Sequence, residues 1–169
     1  MKSIRYFLSA LTALAISSCG YHLGGLKPQN MENMNTFCVE VFENYSSQPN
    51  AGMLMTTAMA NSLQSDGTYR MASRNEADFI VKGEVSHISR DSLITSTEDS
   101  YVSTHISLTV HTKYEVIDRK TGKKLARGSA DGVGSYFNQV GNTQTSIETT
   151  LSYATRSAAD NVTLSLTTR

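Results

Sequence analysis

The sequence predicts an α+β two-layer sandwich, with two helices packed on one face of a four-stranded, mostly antiparallel sheet in the order β-α-β-β-β-α. Three observations lead there. Residues 102–116 alternate apolar and polar side chains, the period of a half-buried strand. Residues 51–64 and the stretch from Thr145 to the C-terminus carry apolar side chains at helical spacing. Between residues 125 and 137 the small residues Ala126, Gly128, Ala130, Gly132 and Gly134 share one side, as on a strand whose backbone another element approaches closely; that element is expected to be a helix.

The chain opens with Lys2 and Arg5, an apolar run over residues 6–16 too short to span a bilayer, and small Ser17 and Ser18 ahead of Cys19. This is the pattern of a secretory leader ending in a lipobox. Residues 1–18 are expected to be the signal peptide, and Cys19, the first mature residue, to carry the lipid. Each buried methylene is worth roughly 0.8 kcal/mol, so two or three acyl chains would hold the protein on a membrane almost permanently. In enterobacterial lipoproteins an aspartate after the acylated cysteine marks retention in the inner membrane. Gly20 stands there instead, which favours export through the inner membrane to a lipid-anchored place on the outer one.

Residues 19–35 hold Gly20, Gly24, Gly25 and Pro28 without periodicity and are expected to form the lipidated N-terminus and a tether, followed by a single domain over residues 36–169. The formal charge is +0 from 15 basic and 15 acidic residues. Losing Lys2 and Arg5 with the leader leaves about −2, which makes nucleic acid an unlikely partner. With Cys19 acylated, Cys38 has no disulfide partner, and its place in an alternating apolar stretch marks it as a packed side chain.

Residues 36–43 read as the first strand, with Phe37, Val39 and Val41 on the buried side. Ala51, Met55, Ala58, Met59 and Leu63 define the core side of the first helix, which Asp66-Gly67 ends. Its methionines are read as plastic core rather than a lipid groove. In residues 78–93 the alternation places Phe79, Val81, Val85 and His87 on the apolar side, and Lys82, Glu84, Ser86 and Arg90 opposite.

The third strand has Val102, Ile106, Leu108, Val110, Tyr114 and Val116 on its buried side, worth on the order of 10 kcal/mol as an upper figure, so its register is firmly set. Residues 118–123 form a hairpin turn with Gly122 at a positive φ. In the last helix Thr145 and Glu148 have capping-box spacing, and Ile147, Leu151, Ala154, Ala158, Val162 and Leu166 mark the core side.

No catalytic, cofactor or metal constellation is present. The glycines near Gly132 lack a following Lys-Ser or Lys-Thr, and His105 and His111 lie six strand residues apart, about 20 Å, too far for one metal. An enzyme is not expected; a hydrolase would need Ser, His and acid residues that only the fold could assemble. The uncovered sheet side, with Ser103, His105, Ser107, Thr109 and His111, is the candidate surface for a protein partner. Lys113, Arg119, Lys120, Lys123, Lys124 and Arg127 form the one marked charge cluster, suited to polyanions such as lipid phosphates, although a solvated, charge-bearing turn is the simpler reading of such charges.

Cys19-Gly20-Tyr21-His22-Leu23 resembles the mature start of the lipopolysaccharide-assembly lipoprotein family. The likeness continues in Val39-Glu40-Val41-Phe42-Glu43-Asn44 and in Glu76-Ala77-Asp78-Phe79-Ile80-Val81-Lys82-Gly83-Glu84-Val85. The resemblance implies a non-enzymatic outer-membrane lipoprotein that binds and plugs a translocon β-barrel and contacts lipopolysaccharide, with no cofactor. Charge and expected exposure single out Arg90, Arg119, Lys120, Lys123 and Lys124 for the lipopolysaccharide. The Ala-Asp pattern also occurs in small envelope lipoproteins that activate peptidoglycan synthases, and a periplasm-facing regulator of that kind is the alternative.

Overall fold

The computed structural model describes residues 25–96, 102–138 and 143–168. After a 3-10 turn at Gln29–Met31, the elements are β1 (Thr36–Val39), β2 (Glu43–Asn44), α1 (Ala51–Asp66), β3 (Arg70–Met71), β4 (Phe79–Ser96), β5 (Val102–Asp118), β6 (Lys124–Asn138) and α2 (Thr143–Thr167). The expected leader and Cys19 lie outside the described residues.

The fold is α+β with two helices on one face, but the sheet is larger and more mixed than the four strands expected. Six strands run in the order β3-β1-β4-β5-β6, with β2 also paired to β4. β1 is parallel to both β3 and β4, and β2 is parallel to β4. Only β4, β5 and β6 form the long antiparallel ladder.

The stretch read as one strand over residues 36–43 is two short ones, and the step between them changes which side is buried. Phe37 is fully enclosed, but Val41 is 66% exposed, while Phe42, expected on the opposite side, is buried. The Phe42 ring lies over Gly83, where any Cβ would collide with it, and the Phe42 amide donates to Thr56 Oγ1 at 2.9 Å. An aromatic anchor with a helix hydroxyl holding its backbone thus outcompetes the simple alternation.

A second departure lies in β4. The ladder to β5 shifts register between Val85 and His87, a β-bulge that reverses the alternation beyond it. His87 therefore pairs with His111 on the open side instead of joining Val85 on the apolar side. Arg90, expected on the polar side, pairs with Leu108 on the helix-facing side. Ser86 is the extra residue, and its hydroxyl donates to His111 O at 3.0 Å.

Elsewhere the periodicities hold. Ile106, Leu108, Val110, Tyr114 and Val116 of β5 are buried, and so is Thr112, which has the same parity. Met55, Met59 and Leu63 of α1 are fully enclosed, whereas Met53 is turned outward. Gly67 closes α1 at φ 80.

From α2, Leu151, Ala154, Ala158, Val162 and Leu166 complete the core. The helix begins at Thr143, ahead of the Thr145 capping pattern. It crosses β6 backbone to backbone: a methyl at Gly132 would drive into Ala154 O and Ala158 N, and one at Gly134 into Thr150 O. Gly128 leaves room for the Tyr114 ring, whose hydroxyl reaches Ser165 Oγ at 2.7 Å.

Because the obstructing atoms at Gly132 are backbone, the strand and helix must separate to admit a side chain. Gly132→Ala should cost about 2 kcal/mol in a urea melt. Gly122→Ala, at φ 70 in open space, should cost only about 1 kcal/mol of backbone strain. Equal losses at the two positions would contradict the packing described.

Candidate functional site

The register of β4, β5 and β6 sorts the face turned away from the helices into cross-strand rows. Lys82, Glu115 and Arg127 form one; Glu84, Lys113 and Ser129 the next; then His87, His111 and Asp131; Ser89, Thr109 and Val133; and Asp91, Ser107 and Ser135. Among the described residues no element packs on this face. The side chains of Lys113 and Asp131 are 65% and 58% exposed.

Chemically the face has two parts. Towards the β5–β6 hairpin it carries paired charges: Lys113 with Glu84 at 3.0 Å, Lys124 with Glu115 at 2.7 Å and Lys82 with Glu40 at 3.2 Å. Further along, hydroxyls and imidazoles take over. Asp131 and Asp91 stand among them, so this side is polar throughout but not free of charge in either part. Ser107, Thr109 and His111 are half-buried on it, while the side chains of Ser103 and His105 lie outside those described.

The histidine row is the most ordered feature. The His87 and His111 rings stack with centroids 4.0 Å apart and planes 13° from parallel. His111 Nδ1 meets Asp131 Oδ1 at 2.9 Å, and its Nε2 meets Ser89 Oγ at 3.2 Å. Ser, His and Asp thus stand in relay order, an arrangement the bulge creates and the one-dimensional alternation hid. The remaining requirement of acyl transfer, amide donors aimed at the developing oxyanion, conflicts with this setting, because strand N–H groups lie in the plane of the sheet rather than above Ser89. The row is a polar surface stiffened by hydrogen bonds.

Cys38, read from sequence as a packed side chain, is half-buried and free. Burial, and then the nearby Glu40 charge, push its thiol pKa up, which suppresses the thiolate. The described residues contain no cluster suited to a metal, and no described helix is long and apolar enough to cross a membrane.

The five cations singled out from sequence do not converge. Phe79 pairs with Asp118 at the hairpin, whereas Arg90 pairs with Leu108, ten residues up β5 and roughly 33 Å away. Arg119 turns back to donate from Nε to Ala77 O at 2.6 Å, and Lys124 is held by Glu115. Lys120 and Lys123 stand exposed at the tip, with no ion pair among the described residues. Asp118 caps this turn, accepting from the Lys120 and Thr121 amides at 2.7 and 3.1 Å; those bonds, the Thr121 amide foremost, lower its carboxyl pKa.

Beside the hairpin lies a segment whose role periodicity did not reveal. Residues 25–35, expected to run free in the tether, are fastened to the domain. The Gly25 amide donates to Thr68 Oγ1 at 2.6 Å, and Asn30 Nδ2 donates to Leu125 O at 2.6 Å. Met31 is fully enclosed in the core. Lys27 Nζ reaches Met34 O and Asn35 Oδ1, both at 2.7 Å, and lies 5.5 Å from the centre of the Tyr69 ring.

With this geometry in hand, the comparisons with known proteins can be read. The lipopolysaccharide-assembly family model, LptE, matches residues 34–166. This chain belongs to the LptE family. The match takes in all six strands and nearly all of α2. No curated protein matches the chain.

Among solved structures, a protein described as a neuraminyllactose-binding hemagglutinin homolog from Helicobacter pylori is 10% identical, covers 85% of this chain and 89% of its own, and superposes with a TM-score of 0.51. The PelC dodecamer from Paraburkholderia phytofirmans is 19% identical over 84% of this chain and 92% of its own, at 0.47. Rare lipoprotein B from Shewanella oneidensis is 14% identical over 78% and 92%, at 0.45. At such identities the likeness concerns the fold alone, and only the first is close enough to support it.

One residue of the LptE-like Ala-Asp pattern has a clear task in the structure. Asp78 Oδ2 accepts from the Asn35 amide at 2.9 Å, the Thr36 amide at 3.1 Å and Thr36 Oγ1 at 2.9 Å, tying the entry of β1 to the start of β4. The Asn35 bond leads in lowering its carboxyl pKa, against a smaller opposing effect of burial, with the Thr36 bonds assisting. A depressed carboxyl stabilises the fold above the unfolded pKa near 4, and that contribution disappears as pH falls through the folded value. Asp78→Asn should therefore cost about 1 kcal/mol at neutral pH, the site being partly exposed. The gap to the parent should narrow in urea melts as pH falls below about 4; a gap independent of pH would remove the carboxylate from this role.

Proposed function

We propose that this LptE-family chain is a lipid-anchored, non-enzymatic outer-membrane component of lipopolysaccharide assembly, which sets its open sheet face against the lumen wall of a translocon β-barrel and contacts lipopolysaccharide there. The observation that carries the reading is the bare polar face of β4, β5 and β6. Its hydroxyls, imidazoles and satisfied ion pairs match the hydrogen-bonding chemistry of a polar barrel interior, and an interface of that kind needs no large apolar patch. The family supplies the assembly context, and the lipobox supplies the place. Acylation of Cys19 and the barrel itself are parts of the proposal.

Lipopolysaccharide contact divides between two places, because Arg90 and the hairpin lie too far apart to share one phosphate group. The alternative, a regulator reaching across the periplasm to a peptidoglycan synthase, needs a long arm. With residues 25–35 fastened to the domain, Cys19 lies only six positions before Gly25, a reach of about 20 Å at full extension. That shortfall weighs against it.

A photo-crosslinking residue at Ser107 or Thr109 should capture a protein of barrel size in intact cells, while one at Met53 on the outer face of α1 should not. Capture from Met53 alone would place the partner on the helices and overturn the proposal. For lipopolysaccharide, Arg90→Glu and Lys120→Glu should weaken binding additively, within about 0.5 kcal/mol, as expected of separated sites. Strong coupling between the two would restore a single site.

A further inference from the structure

The fastening of residues 25–35 fixes which end of the domain the N-terminal segment leaves from. Gly25 sits against Thr68, just past the end of α1, and any Cβ on it would strike Thr167 at the end of α2. Asn30 bonds Leu125 at the base of the β5–β6 hairpin, and Arg119 bonds Ala77. The hairpin tip, the α1–β3 turn, the last turn of α2 and the exit of the N-terminal segment therefore crowd one end of the sandwich.

The surface of that end is suited to a membrane interface. Lys120 and Lys123 project from the hairpin, and Arg70 is exposed at the same end on β3, the opposite edge of the sheet. Leu26 and Met71, 69% and 54% exposed, are large apolar side chains at this end that the core leaves in water. The nearby carboxylates, all half-buried, serve as backbone acceptors, Asp118 for its own turn, Asp78 for Asn35 and Thr36, and Asp66 for Thr68, and Asp118 and Asp78 also feel the Lys120 charge. Glu32 and Glu76 remain exposed, and Glu76 accepts from Ser73 Oγ at 2.8 Å.

We propose that this end rests on the leaflet that holds the acyl chains, with Lys120 and Lys123 against anionic phospholipid headgroups and Leu26 and Met71 at the headgroup boundary. The inference rests on acylation of Cys19, six residues before Gly25. A link of at most about 20 Å leaves the domain little freedom to stand clear of the bilayer. Basic residues this close to an anionic surface add to the hold of the acyl chains. The hairpin then orients the domain, setting the long strands along the membrane normal, the direction in which their open face can enter a membrane-spanning barrel.

The test uses the full acylated chain in two kinds of vesicle, phosphatidylcholine alone and phosphatidylcholine with phosphatidylglycerol, with amine labelling read residue by residue. Lys120 and Lys123 should label about fivefold more slowly in the anionic vesicles. Lys113, on the open face, should be unchanged. Hydrogen exchange across residues 119–123 should show the same protection, and the K120Q/K123Q variant should lose it. Equal labelling in the two vesicles would overturn the inference, as would protection that appears only when lipopolysaccharide is added, since the lysines would then serve the proposed lipopolysaccharide contact alone. The intact mass separates the two layers of the argument: an unmodified Cys19 defeats the anchoring reading and this inference together, whereas an acylated chain with unprotected lysines defeats this inference alone.

Discussion

Close contact between the backbone of α2 and the glycines of β6 is the constraint from which the remaining architecture follows. A helix can lie that near a sheet only where side chains are missing, and Gly132 and Gly134 supply the gap on one side of β6 alone. With α2 seated there and α1 beside it, the apolar side of the β4–β5–β6 ladder is closed. Both helices are used on that side, and among the described residues no element covers the opposite face of the ladder. That open surface is thus a consequence of how the core is completed.

The bulge between Val85 and His87 gives that surface its chemistry. An unbroken alternation would have put His87 under the helices and Arg90 on the open side. One inserted residue exchanges them and brings His87 into a stack with His111, whose nitrogens are then held by Ser89 and Asp131. A row of bonded side chains has fewer conformations to lose on docking than the same groups would have if they moved independently. Below it, Lys113, Lys124 and Lys82 are paired with Glu84, Glu115 and Glu40.

At the other extreme of the molecule, the fastened N-terminal segment joins position to function. Asp78 draws Asn35 and Thr36 onto the start of β4, and Asn30 and Gly25 continue the attachment to the hairpin base and the α1–β3 turn. The exit of the N-terminal segment, the basic tip and the open face thereby acquire a defined order along one axis, which a flexible arm would not impose.

Long, strongly periodic stretches were legible without coordinates: β5 with its buried even-numbered positions, the core sides of both helices, the positive φ at Gly122, and the small-residue side of β6 on which a helix settles. These are local properties, since a side chain's period along one strand or helix decides which face it shows. The short parallel strands, the reversal at Phe42, the bulge and the fastening of residues 25–35 left no such mark, because each is settled by partners distant in the chain: Gly83 and Thr56 for Phe42, His111 for Ser86, Leu125 and Thr68 for the N-terminal segment. The candidate surface divides the same way. Its polar character and the cations at the turn could be read from residue types, but which imidazoles meet, and whether Arg90 and Lys120 stand together, depends on register across three strands, and only the folded ladder sets that.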